Sequence, residues 1–281
     1  MTKYLYLIRA KQWTKNFFCF SGIIFGLNAY TLHSLLQSFY TFICFCLISS
    51  SVYVINDIFD KDADSKHPRK KNRPIASGTI KTFSATIIAI SLLISGLILA
   101  KNINEMVFYI IIFYLLNNVL YNLFFKKVLI IDVLSIAFGF IFRLSSGIYS
   151  VGLIPTPWIL LCTFFLAIFL GFSKRRAELK NTDKDFFQRP VLKYYKVKFL
   201  DSLINDAAFG SIISYSLFCS INQQNFGIIM TIPVVYYALM HYKNLLFQNI
   251  HGEEPESVII KDKIIIISVF VWLVLYILFK S

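Results

Sequence analysis

The chain of 281 residues is 57% hydrophobic, with a mean hydropathy of +0.65 and a formal net charge of +13. This hydrophobic fraction is higher than that of a water-soluble domain of the same size, which excludes the ordinary soluble enzymes and binding modules. The composition predicts an all-α polytopic membrane protein, with one domain over residues 1–281 that is embedded in the lipid bilayer.

Apolar runs recur along the whole chain. At about 17–22 residues, several are long enough to cross the hydrocarbon core of a bilayer as helices. Nine transmembrane helices are predicted, at residues 17–32, 38–56, 80–100, 106–124, 128–149, 157–173, 203–221, 226–241 and 264–280. No cleavable signal peptide is expected, because the basic N-terminal segment is not followed by a small-residue cleavage pattern.

The basic residues predict how these helices are oriented. All of the 28 Lys and Arg residues except Lys101, Arg143 and Lys280 lie in the N-terminal segment or in every second loop. Because basic loops stay on the cytoplasmic side, we expect a cytoplasmic N-terminus and an outside C-terminus in the inner (cytoplasmic) membrane. This topology explains the basic excess, so no nucleic-acid partner is expected.

An acidic segment at residues 56–64 follows the second apolar run. Its Asp57, Asp60 and Asp64 are spaced i, i+3 and i+7 and would share one face of a helix. Carboxylates at the end of a membrane helix need a neutralising partner, and oxygen ligands suit Mg²⁺ that also binds substrate phosphate. We therefore predict a catalytic Mg²⁺ site on Asp60 and Asp64 with Asn56, and a supporting catalytic role for Asp57.

Basic residues follow the acidic segment directly, among them Lys70 and Arg73. Carboxylates for a metal beside cations for phosphate are the arrangement expected for a diphosphate substrate. The alternative is a solvated charged loop that binds no ligand, which the carboxylate spacing disfavours.

Other polar residues lie at the ends of apolar runs or within them. Lys15 precedes the first run, and Tyr121 and Lys126 lie at the end of the fourth. Arg143 lies inside a run, where an arginine is by default functional or paired. The alternative for Arg143 is a structural pair with Asp132 or with a backbone carbonyl.

The segment after the sixth run is basic rather than acidic. Lys174 and Glu178 are spaced i, i+4 and would share a helix face, with Arg175 on the adjoining face. The cations suit a phosphate clamp, and the alternative is the ordinary basic end of a membrane helix. Residues 56–64 follow the second apolar run and this basic segment follows the sixth. The spacing of four runs between them indicates an internal duplication.

The acidic segment resembles a known motif. Asn56, Asp57, Asp60 and Asp64, placed after the second of nine runs, are similar to the first aspartate motif of the UbiA-type intramembrane prenyltransferase superfamily. This resemblance implies a UbiA-type bundle of nine helices. Most of the superfamily carries a second aspartate-rich motif after the sixth helix, whereas this chain has basic residues 174–176 there.

In this basic segment, the chain resembles the decaprenyl-phosphate phosphoribosyltransferase subfamily instead. Similar segments run nearly end to end, at residues 11–16, 67–78, 139–147, 174–178 and 252–256. The resemblance implies Mg²⁺-dependent transfer of 5-phosphoribose from phosphoribosyl diphosphate (PRPP) to a polyprenyl phosphate, toward decaprenylphosphoryl-arabinose-type donors for the cell envelope. It also allows a homo-oligomer. From the residues and this resemblance together, we predict substrate binding by Lys15, Lys70, Arg73, Tyr121, Lys126, Arg143, Lys174, Arg175 and Glu178.

The chemistry of the donor agrees with the residues. PRPP carries a diphosphate at C1 and a separate phosphate at C5, which suits one acidic and one basic segment. Two alternatives stay open. One is a prenyltransferase that moves a polyprenyl group from its diphosphate to an aromatic acceptor, and the other is a lipid or ion transporter.

Overall fold

A computed structural model describes residues 2–26, 31–66, 70–181, 190–221, 226–248, 258 and 261–280. Within these residues every regular element is a helix, as the composition predicts, and none is a strand. The α-helices are α1 (Thr2–Leu7), α2 (Ser21–Phe25), α3 (Leu32–Phe59), α4 (Lys61–Ser65), α5 (Thr82–Ile103), α6 (Glu105–Leu123), α7 (Ile131–Ser150), α8 (Pro157–Asn181), α9 (Val197–Ile221), α10 (Thr231–Phe247) and α11 (Lys263–Phe279). The 3-10 helices are Ala10–Phe20, Lys70–Asn72, Phe125–Lys127, Pro190–Tyr194 and Phe226–Met230.

Six of the described helices, α3 and α5 to α9, are long and apolar enough to cross a membrane. They coincide with six of the nine predicted runs. The other three runs fall on shorter elements: the 3-10 helix Ala10–Phe20 with α2, then α10, then α11. α11 has 17 residues and is about 26 Å long, slightly less than the ~30 Å hydrocarbon core. Nine transmembrane helices therefore remain a prediction.

Large apolar side chains are exposed along several of these helices. Ile94 on α5, Phe113 on α6 and Phe270 on α11 are each more than half exposed. In water such faces would favour aggregation, whereas in a bilayer they contact lipid tails at no cost.

The first of two compact units comprises Met1–Asn122 and Phe142–Ile154. In it α3 packs closely on α5 because small residues line the contact. The Ser51 hydroxyl donates to the carbonyl of Ala89 at 2.8 Å, and the Cys44 thiol donates to that of Gly96 at 3.1 Å. Such close packing is typical of helices in lipid, and it fixes the end of α3 where the acidic segment begins.

The second unit comprises Leu123–Ile141 and Pro155–Ser281. Its main helix pair is α8 with α9, and α10 packs against α11. One apolar cluster fills its core, with Phe169, Leu200 and Ile204 fully buried. Gly171 allows the side chain of Val133 to approach α8, so the start of α7 lies beside the charged end of α8. A single domain over residues 1–281 stays a prediction.

Candidate functional site

Two carboxylates and two guanidinium groups meet in the first unit, and we call Arg9, Asp57, Asp64 and Arg73 the first cluster. Arg73 Nη1 donates to Asp57 Oδ1 at 3.0 Å and to Asp64 Oδ2 at 2.6 Å. Arg9 Nη2 donates to the same Asp57 oxygen at 2.5 Å. The carboxylate side chains are 3% and 4% exposed, whereas those of Arg9 and Arg73 are 25% and 24% exposed. The arginines are therefore the part of the cluster that solvent reaches.

A break between two helices builds the acidic side of the first cluster. α3 ends and α4 begins on either side of Asp60, which has φ −88° and ψ 3°. The backbone N–H of Asp60 donates to the carbonyl of Asn56, and that of Asp64 donates to the carbonyl of Asp60. The predicted single helix face is therefore interrupted at Asp60, and the carboxylates that share a partner are those of Asp57 and Asp64.

The basic side of the first cluster comes from two distant segments. Arg9 has a left-handed backbone (φ 51°, ψ 48°), and its guanidinium lies 5.0 Å from the centre of the Tyr53 ring. Positive φ is uncommon outside glycine and costs energy, which the ion pair and the stacking offset. Arg73 directly follows the short 3-10 helix, and its N–H donates to the carbonyl of Lys70. The sequence did not single out Arg9, whose one signal was its place in a basic segment.

The donor set of the first cluster fits Mg²⁺. Its anionic ligands are carboxylate oxygens, and Asp57 and Asp64 both contact one positive nitrogen, so the two can share one cation. The predicted ligand Asn56 lies in the last turn of α3 and Asp60 at the break that follows, and both are half-buried. Among the described residues no group of three or more His, Cys, Asp and Glu side chains is placed to hold a metal. The residues therefore fit Mg²⁺ that takes further ligands from a substrate and water, which is its usual coordination.

A second network of charges lies in the second unit, and we call Asp132, Arg175, Glu178 and Tyr195 the second cluster. Arg175 Nε donates to Asp132 Oδ2 at 2.6 Å, and its Nη1 donates to Glu178 Oε2 at 2.8 Å. The Tyr195 hydroxyl donates to Asp132 Oδ1 at 2.8 Å. All four side chains are buried, and Arg175 and Asp132 completely. The cluster ties the start of α7 to the end of α8 and to the segment before α9.

Tyr195 is a part of the second cluster that the sequence did not predict. Its hydroxyl accepts the backbone N–H of Ile130 at 2.9 Å while it donates to Asp132. Ile130 has φ 68°, an outlier for a β-branched residue, so the tyrosine holds a strained turn. Burial, and then the charge of Asp132, raise the pKa of the Tyr195 hydroxyl, which keeps it a proton donor at neutral pH.

The residues of the predicted phosphate clamp on α8 differ in burial, because some form buried ion pairs and Lys174 is half-buried. Arg175 and Glu178 bond to each other inside the second cluster, and Lys174 is half-buried beside them. The next residue, Arg176, donates to Asp201 and to the carbonyl of Leu246. Direct phosphate binding stays a prediction, and the geometry favours it for Lys174 over Arg175.

Arg143 is buried in the first unit, and its described hydrogen-bond partners are uncharged. Its Nε donates to Asn16 Oδ1 at 2.7 Å and its Nη2 to the Tyr114 hydroxyl at 2.9 Å. The guanidinium also lies 4.9 Å from the centre of the Tyr114 ring and 5.7 Å from that of Phe45. Whether Arg143 is functional or structurally paired stays a prediction.

Four further predicted site residues lie outside both clusters. Lys15 Nζ donates to Gln12 at 2.7 Å, and Lys70, Tyr121 and Lys126 are half-buried. Their contacts with a substrate stay predictions. Residues 67–69 and 252–256 of the similar segments lie outside the described residues.

The fold and the two clusters define an integral membrane protein with charged groups gathered at the ends of apolar helices. The model of the UbiA prenyltransferase family matches residues 16–248, and the chain belongs to this family. It is accordingly a transferase.

Individual relatives agree with this assignment. The decaprenyl-phosphate phosphoribosyltransferase of Mycolicibacterium smegmatis is 25% identical over 95% of this chain and 88% of its own. That of Corynebacterium glutamicum is 26% identical over 94% of this chain and 82% of its own. A solved UbiA homologue from Archaeoglobus fulgidus bound to GPP and Mg²⁺ has a TM-score of 0.76 at 19% identity, with 99% of each chain covered. The predicted UbiA membership, its helical fold and the resemblance to the phosphoribosyltransferases are confirmed.

Proposed function

We propose that this chain transfers 5-phosphoribose from PRPP to a polyprenyl phosphate and releases diphosphate. The observation that carries the proposal is the nearly full-length similarity to decaprenyl-phosphate phosphoribosyltransferases. The charge distribution supports it, because the carboxylates of the first cluster suit a metal-bound diphosphate and the half-buried Lys174 suits a separate phosphate.

We assign the first cluster to the diphosphate of PRPP. Asp57 and Asp64, with Asp60 and Asn56 adjoining, would hold Mg²⁺, which neutralises charge on the leaving diphosphate when bound. Arg73 is placed to donate charge-assisted hydrogen bonds to phosphate oxygens, which are shorter and stronger than neutral ones. The candidates for the C5 phosphate and the lipid phosphate are Lys15, Lys70, Tyr121, Lys126, Arg143 and Lys174.

The proposed reaction needs little acid–base chemistry from the protein. A lipid phosphate oxygen forms a bond to C1 while the bond from C1 to the diphosphate breaks, and the diphosphate leaves with the electron pair. A phosphate monoester is already ionised near neutral pH, so no strong general base is required. Catalysis rests on positioning and on charge neutralisation at the leaving group. We expect an oxocarbenium-like transition state and inversion at C1, from α to β.

We further propose nine transmembrane helices with the substrate site facing the cytoplasm. The distribution of Lys and Arg supports this orientation, because the segments that carry the first cluster and Lys174 are both basic. A reporter fused after residue 281 should be active only outside the cytoplasm. A reporter that is active in the cytoplasm would contradict the nine-helix topology.

The product assay tests the reaction directly. Purified protein is incubated with ribose-labelled PRPP, Mg²⁺ and a polyprenyl phosphate, and we expect label in the organic phase together with released diphosphate. Without the lipid, the organic phase should hold no label. If turnover requires geranyl diphosphate and an aromatic acceptor instead, the prenyltransferase alternative is correct. If no phosphorylated donor gives Mg²⁺-dependent turnover, a transporter is favoured.

A further inference from the structure

The two carboxylates of the first cluster are bridged by one guanidinium nitrogen. Arg73 Nη1 lies 3.0 Å from Asp57 Oδ1 and 2.6 Å from Asp64 Oδ2. With Arg9, the cluster contains two negative and two positive side chains, so its four members carry no net charge. A cluster without net charge attracts a divalent cation weakly, because each carboxylate already has a cationic partner.

A divalent cation on these carboxylates meets Arg73 in one of two ways. It takes the oxygens that Nη1 now occupies, or it takes the other oxygens and lies within a few ångströms of a positive guanidinium. Both arrangements oppose metal binding, the first by competition and the second by repulsion in a largely buried site.

Among the described residues, Arg73 bridges both carboxylates, whereas Arg9 contacts Asp57 and also lies over the Tyr53 ring. Among the described contacts, release of Arg73 therefore leaves Asp57 bound to Arg9 and removes the cationic partner of Asp64. The released guanidinium stays next to the metal position, partly exposed, where an anion can bind it.

We propose that Arg73 competes with the divalent cation for Asp57 and Asp64, and that diphosphate relieves this competition by giving the displaced guanidinium an anionic partner. Metal and diphosphate then bind together, and each binds weakly alone. The identity of the anion rests on the proposed function. The arrangement prevents the carboxylates from holding a metal without a substrate beside it.

Metal binding without a substrate tests the competition. Mn²⁺, as a paramagnetic substitute for Mg²⁺, is titrated into Arg73→Gln and wild-type protein, and bound metal is measured by electron paramagnetic resonance. We expect Arg73→Gln to bind Mn²⁺ about tenfold more tightly, because one positive charge leaves the cluster. Inorganic diphosphate should tighten Mn²⁺ binding strongly in the wild type and much less in Arg73→Gln.

Lys71→Gln is the matched control, because Lys71 is an exposed cation two residues away and its loss changes the net charge equally. We expect at most a small change in Mn²⁺ affinity for this variant. Unchanged or weaker Mn²⁺ binding in Arg73→Gln overturns the proposal, and so does an equal gain in Lys71→Gln.

A second measurement uses the wild-type protein alone, so it does not depend on a variant that folds. Phenylglyoxal modifies accessible guanidinium groups, and modified residues are mapped by mass spectrometry. Modification of Arg73 should rise with Mn²⁺ and fall again when inorganic diphosphate is added. No response to Mn²⁺ overturns the competition. Neither experiment contains PRPP or a lipid, so absence of PRPP turnover overturns the proposed function and leaves the metal competition to be judged separately.

Discussion

The two charged clusters use the same kinds of side chain in different surroundings. In the first, the arginines are about a quarter exposed above buried carboxylates. In the second, Arg175 and Asp132 are completely buried. A partly exposed guanidinium can exchange a carboxylate for a phosphate, whereas a buried one cannot leave without stranding two charges. We therefore expect ligand exchange in the first cluster and the positioning of helix ends in the second.

The largest expected effect is on turnover, from a change in the first cluster. Asp64→Asn should reduce activity by more than about 100-fold, beyond the range of changes to residues that only orient a metal ligand. Asp60→Ala should behave similarly if Asp60 is a ligand. The control is Asp62→Asn, an exposed aspartate on the same short helix. Product formation under saturating Mg²⁺ measures the effect, and near-normal rates in Asp64→Asn would remove Asp64 from the metal site.

Next in size is a loss of stability from the second cluster. Arg175→Met removes the described cationic partner of two buried carboxylates and should lower the free energy of unfolding by about 3–5 kcal/mol. Combining it with Asp132→Asn and Glu178→Gln removes the stranded charges and should restore much of that loss. Thermal unfolding in detergent measures both. A stable Arg175→Met single variant would mean that Arg175 is not held as a buried ion pair.

Tyr195→Phe should have a smaller effect on stability. It removes one hydroxyl and leaves the N–H of Ile130 and one oxygen of Asp132 without that partner, at a cost of about 1–3 kcal/mol. Tyr194→Phe is the control, because its side chain is largely exposed in the preceding position. Equal unfolding temperatures for the two variants would contradict the role of Tyr195 in holding the strained turn.

The smallest expected effect separates Lys174 from Arg175. Lys174→Ala should raise KM for PRPP by about tenfold, because a charge-assisted bond to phosphate is worth about 1.5–3 kcal/mol, and should leave stability and KM for the lipid nearly unchanged. Lys180→Ala, an exposed lysine on the same helix, is the control. If the two variants have the same KM for PRPP, Lys174 does not bind a phosphate of PRPP.

The sequence predicted the parts of the fold and site that depend on local pattern. Apolar run length gave the positions of α3 and α5 to α9, and the spacing of aspartates gave the acidic segment. Periodicity also placed Asp57 and Asp64 on one side of the chain, although a helix break at Asp60 and a shared arginine bring them together.

The missed features depend on contacts between residues far apart in sequence. Arg9 bonds Asp57 across 48 positions, and Tyr195 bonds Asp132 across 63. No local pattern marks either partner, because a single basic or aromatic residue near a membrane helix is ordinary. The sequence predicted that the basic segment on α8 binds phosphate. In the structure Arg175 is buried in an ion pair instead, and the spacing of residues does not show which of them are buried.

Donor choice tests the central claim most directly. Diphosphate release is followed in parallel reactions with PRPP and a polyprenyl phosphate, or with geranyl diphosphate and an aromatic acceptor, each with Mg²⁺ and with excess chelator. The account predicts Mg²⁺-dependent release from PRPP that requires the lipid, with kcat/KM for PRPP at least about 100-fold above that for geranyl diphosphate, equivalent to about 2.7 kcal/mol. Release from geranyl diphosphate with no use of PRPP would contradict the phosphoribosyl assignment.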